Sequence, residues 1–96
     1  MSHPEATVTV TVTLAHVVEL RAVREATDEV YIAALERIAA GACAREDFVT
    51  EKRTHDAHVA ACEAHGNAAR ALVAAARAAL EMAQAAFEAA IKESLS

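Results

Sequence analysis

The sequence predicts a mainly α-helical chain, either a helical bundle or a long helical hairpin, with one N-terminal β-strand that pairs between chains. Three observations predict it. Residues 7–13, TVTVTVT, alternate strictly; from Leu14 onward apolar residues recur at spacings of three and four; and from Glu46 to Ser94 one apolar arc persists without a clear stop. The 96 residues are read as a single domain.

In residues 7–13 the period of two puts Val8, Val10 and Val12 on one face and four Thr on the other, as in a one-sided strand. No second strand follows in the sequence. A lone strand leaves its backbone groups unsatisfied, so it is expected to pair with its own copy or with another chain.

Residues 14–40 read as one or two helices, with Val17, Leu20, Val23, Ala34, Leu35 and Ile38 on the helical period. Thr27 followed by Asp28 and Glu29 has the form of an N-cap with acidic first-turn residues, which favours two, and Gly41 suits the position just past a helix end.

Residues 46–94 hold either one long helix or two broken near 66–67. Phe48, His55, His58, Cys62, His65, Ala69, Val73, Ala76, Leu80, Phe87 and Ile91 fall within an arc of roughly 100°. The phase survives Gly66, which allows a helix of about 75 Å. A Gly stop followed by an Asn67 cap would instead give a compact bundle. Between residues 68 and 92 the strongly polar side chains Arg70, Arg77, Glu81, Gln84, Glu88 and Lys92 share one stripe, and the rest of the circumference is Ala or larger apolar groups. Such a helix is normally covered on several sides. Its regular capping and propensity, in AALERIAAG and NAARALVAAARAALEMAQAAFEAA, fit an Ala-rich natural chain and a designed bundle alike.

Composition narrows the function. The chain is 55% hydrophobic, but Ala supplies roughly half of that, and a methyl group buries little area. Three aromatics and no Trp leave few anchors for a ligand pocket or for stacking bases. A net charge of -5 gives no broad basic field for nucleic acid or anionic membranes. Cys43 and Cys62 lie nineteen apart with no Cys-x-x-Cys spacing, which favours free thiols in a reducing compartment. Neither MSHPEATVTV nor LVAAARAAL reads as an export signal or a membrane span, so a soluble intracellular protein, cytoplasmic or part of an assembled particle, is expected.

The stretch THDAHVAACEAHG carries the only clustered chemistry. His55, His58, Cys62 and His65, spaced three, four and three, lie on one helix face. The outer two are about 15 Å apart along the axis, so one ion cannot collect all four. His58 with Cys62, or Cys62 with His65, could supply two ligands to zinc or copper, a symmetry mate completing the site. The alternative is a polar stretch of helix interface. His3 with the chain amine is a further copper or nickel candidate. A Cys–His nucleophile has no accompanying oxyanion-hole signature, so no catalysis is expected.

The segments TVTVTVTLAHVVEL (7–20) and EVYIAALERI (29–38) resemble the ribbon-helix-helix family of dimeric DNA-binding proteins. The resemblance implies that Val8, Val10 and Val12 face the dimer core, that Thr9 and Thr11 point toward DNA, and that Thr27 stands at a phosphate-binding helix start. The sequence departs from the family in three ways: the ribbon has no Arg, Lys, Asn or Gln, the inter-helix turn lacks Gly, and residues 1–40 are net acidic. The role expected overall is a non-catalytic, self-associating structural or assembly component without cofactor, its interface formed by Val8, Val10, Val12, Phe48, Leu80, Phe87 and Ile91. The partner is a copy of itself or a larger particle.

Overall fold

The computed structural model describes residues 3–96. Two helices account for nearly all of them, α1 over His3–Ala39 and α2 over Arg45–Leu95. The chain divides into two compact units, Val18–Asn67 on the one hand, and the residues up to Val17 with Ala68–Ser96 on the other.

The predicted strand is a helix. Among the described residues there is no β-strand, and 7–13 form part of α1. A helix satisfies its own backbone without a second chain, and here it also takes up the threonine hydroxyls: those of Thr9, Thr11 and Thr13 donate to the carbonyls of Glu5, Thr7 and Thr9 at 3.0, 2.9 and 2.6 Å. Bonding four residues back is what lets Thr sit in a helix despite its β preference. Glu5 in the first turn favours the helix start electrostatically. The valines no longer share a face. Val10 is half-buried, while Val8 and Val12 are 60% and 63% exposed. The ribbon implied by the family resemblance is therefore not formed, and the hydroxyls of Thr9 and Thr11 are engaged with their own helix.

Two open questions about helix number are answered by continuity. Thr27 is not a cap, because its hydroxyl donates back to the Arg24 carbonyl at 2.9 Å within an unbroken α1. Gly66 and Asn67 are helical, so α2 is one helix of 51 residues. Gly41 behaves as expected. At φ 106° it ends α1, with its N–H on the Ile38 carbonyl (3.0 Å) and the Ala42 N–H on that of Arg37 (3.0 Å), the paired bonds of a Schellman motif. Asp47 then starts α2 by accepting the Ala44 N–H at 3.0 Å and the Arg37 guanidinium at 3.2 Å.

The unit Val18–Asn67 is a helical hairpin closed by this turn. Its less exposed positions include, on α1, Leu20, Arg24, Thr27, Tyr31, Ala34 and Ile38 and, on α2, Asp47, Glu51, Thr54, His58, Ala61 and His65. Spacings alternate between three and four, the knobs-into-holes repeat. In the other unit the same repeat runs through Ala6, Val10, Thr13 and Val17 on α1 and through Ala68, Leu72, Ala75, Ala79 and Met82 on α2. These seams combine Ala and polar side chains with a few larger apolar ones, Leu20, Tyr31, Ile38, Leu72 and Met82. Among the described residues only Ala34, Thr54, Ala61 and Ala68 are buried.

α1 over Glu5–Ala39 is also long and apolar enough, at hydropathy 1.3, to cross a membrane by length and composition. MSHPEATVTV by itself is too short for this; helical continuity with residues 11–39 lengthens the apolar run.

Candidate functional site

The polar seam of the Val18–Asn67 unit gathers around His58. This half-buried ring packs against Tyr31 at 6.3 Å between centroids, with an interplanar angle of 20°. Its Nδ1 lies 3.2 Å from Thr27 Oγ1. The Thr27 hydroxyl gives its only hydrogen to the Arg24 carbonyl, so toward His58 it accepts, which assigns the proton of the neutral ring to Nδ1. The other nitrogen, Nε2, faces Cys62 Sγ at 3.5 Å and Asp28 Oδ1 at 3.5 Å. A neutral His58 accepts the Cys62 S–H; a protonated one donates to Asp28. Arg24, Glu25, Asp28, His58 and Cys62 line a depression of about 230 Å³ beside it.

The four candidate ligands of the sequence separate into three environments. His58 and Cys62 are neighbours. His55 meets the edge of Tyr31 at 5.3 Å and turns Nδ1 toward Asp56 Oδ1 at 3.4 Å. His65 Nδ1 stands 3.5 Å from the Arg24 guanidinium. Among the described residues no group of three or more His, Cys, Asp or Glu side chains is arranged to hold a metal ion as it stands. The His3 proposal depends on the chain amine, which lies outside the described residues. Asp28 is the participant that sequence reasoning missed, because it reaches His58 from the other helix and no spacing connects them.

On α2 the ion pair Lys52–Asp56 shifts both of its partners. The ammonium of Lys52, 2.9 Å from Asp56, is held above its usual pKa chiefly by that hydrogen bond. The Asp56 carboxyl is lowered, first by Lys52 and then by His55. Both side chains are exposed, so solvent screens the pair.

The interface candidates form the second feature. Val8, Val12, Phe48, Leu80, Phe87 and Ile91 are all exposed, and Val10 is half-buried. On α2 the seam toward α1 lies one position before the predicted arc: Ala68, Leu72, Ala75, Ala79 and Met82 turn inward, while Ala69, Val73, Ala76 and Leu80 form the neighbouring stripe. From Ala83 to Ser96 every residue is exposed. Beside Phe48 a shallow depression is lined by Cys43, Arg45, Val49, Lys52, Arg53 and Asp56.

No protein-family model matches the chain, and neither a curated protein nor a solved structure matches it.

Proposed function

We propose that this chain is a non-catalytic, self-associating helical protein acting as a structural or assembly component. The observation that carries the reading is its surface. A folded monomer of 10.1 kDa exposes about 5,300 Å² by the usual scaling with mass; this chain exposes 7115 Å². Among the described residues sixteen large apolar side chains are exposed, and the only buried apolar ones are three alanines. Apolar area left in water in this amount favours association. Sedimentation equilibrium at micromolar concentration tests it: a dimer or larger species is expected, and a 10.1 kDa monomer would refute it. A soluble, intracellular setting belongs to the same reading; flotation of the purified protein with lipid vesicles would replace it with a membrane-inserted α1.

A second reading, a zinc- or copper-binding bundle, draws on His58. The separations from Nε2 to Cys62 Sγ and to Asp28 Oδ1, 3.5 Å each, match the edges of a ligand tetrahedron around zinc, about 3.3–3.6 Å. Its test is zinc titration of the intact protein against a His58→Ala, Cys62→Ala variant, where equal and negligible uptake ends it. A DNA-binding regulator of the ribbon type would need the strand whose place is taken by α1.

A further inference from the structure

We infer that the stripe Val73, Leu80 and Phe87 on α2 is the docking face for a second copy of the same helix, running antiparallel about a two-fold axis between residues 81 and 82. This rests on the self-association proposed above and names its face, partner and direction.

Within the unit that contains Ala68–Ser96, α2 carries two heptad seams turned by about 100°. The first faces α1. The second, Ala69, Val73, Ala76, Leu80, Ala83, Phe87 and Ala90, repeats at four and three and has no partner among the described residues; Val73, Leu80 and Phe87 are 51%, 58% and 66% exposed. An isolated apolar patch would tolerate any order of sizes. This seam alternates large with Ala at every step.

That alternation selects the occupant and its direction. In a parallel pair, equal positions meet, so Phe87 would lie on Phe87 and Ala83 on Ala83, leaving layers alternately overfilled and void. In an antiparallel pair centred between 81 and 82, Val73 faces the partner's Ala90, Ala76 faces the partner's Phe87, and Leu80 faces the partner's Ala83. Each of these layers, from residue 73 to residue 90, then combines one large and one small side chain, the arrangement that fills a helix interface evenly. The contact is self-complementary, as a two-fold interface must be.

Charge gives the same direction independently. Residues 68–80 carry Arg70 and Arg77 and no acid; residues 81–96 carry Glu81, Glu88 and Glu93 against Lys92 alone. Antiparallel pairing sets the basic half of one helix beside the acidic half of the other, whereas parallel pairing opposes like halves.

The test uses the full chain with Cys43→Ser and Cys62→Ser, checked for unchanged helicity, and a spin label at Lys92→Cys. The proposed register separates the two labels by 21 residues of rise, about 32 Å, whereas a parallel pair brings them to roughly 10–20 Å. In parallel, Phe87→Glu is expected to weaken association at least about 30-fold with helix content unchanged, since Phe87 is 66% exposed within the unit. A monomer before any substitution overturns both this inference and the proposed function. An oligomer that gives only the short distance, or that ignores Phe87→Glu, overturns the docking face and leaves self-association standing.

Discussion

The two glycines should respond to alanine with opposite signs. Gly41 sits at φ 106°, and a Cβ built there meets nothing within 4 Å, so the penalty of Gly41→Ala is purely conformational. Forcing an L side chain into that region costs about 1–2 kcal/mol, or roughly 4–15 °C in Tm for a chain of this size. Gly66 is in the middle of α2, where Gly is worse than Ala by about 0.5–1 kcal/mol, so Gly66→Ala should raise Tm by a few degrees. Thermal unfolding followed by circular dichroism, with all variants at one protein concentration because association shifts Tm, reads both. A chain broken at Gly66, with that glycine as a left-handed helix stop, would lose stability in both variants. A drop on Gly66→Ala of the size seen for Gly41→Ala therefore refutes the single long α2.

Other perturbations follow from the same structure. Val10→Pro should cost about 3 kcal/mol by breaking α1 within the threonine-rich turns; unchanged urea unfolding would mean that this segment is not helical. Asp47→Ala removes the acceptor of the Ala44 N–H and the ion pair with Arg37, and should lower stability by about 1 kcal/mol. The Lys52–Asp56 pair has a defined pH signature. Because the Asp56 carboxyl is lowered, its contribution is present above the ordinary carboxylate range and disappears as pH falls through the lowered value; because Lys52 is raised, its contribution is lost only as pH climbs through that raised value. Titration of the Asp56 carboxyl by NMR should therefore shift upward in Lys52→Ala, and an unmoved titration would refute the pairing.

The long helical segments and the Gly41 stop were legible because they depend on local chemistry, namely period, capping and positive φ. Residues 7–13 misled because alternation of Val and Thr meets the strand rule, yet Thr also closes a hydroxyl bond to the carbonyl four residues back, and composition does not choose between the two. From residue 68 onward the inward face of α2 was displaced by one position, whereas His58 and His65 of the predicted arc do lie on the seam. Phe48, Leu80 and Phe87 are large apolar groups that attract an assignment to the core, but much of the seam toward α1 is made of Ala, Thr and His, with Leu72 and Met82 its larger apolar members. Around His58 the pair with Cys62 was readable from a spacing of four, whereas Asp28 and Thr27 arrive from the other helix and carry no signature in the chain order.

The alanine seam reverses the usual map of mutational sensitivity. Where Ala34, Ala61 and Ala68 set the distance between backbones, any added carbon is a wedge, so the smallest side chains should be the least replaceable. The bulkiest ones, left outside, should tolerate exchange in folding and reveal their worth only when molecules meet.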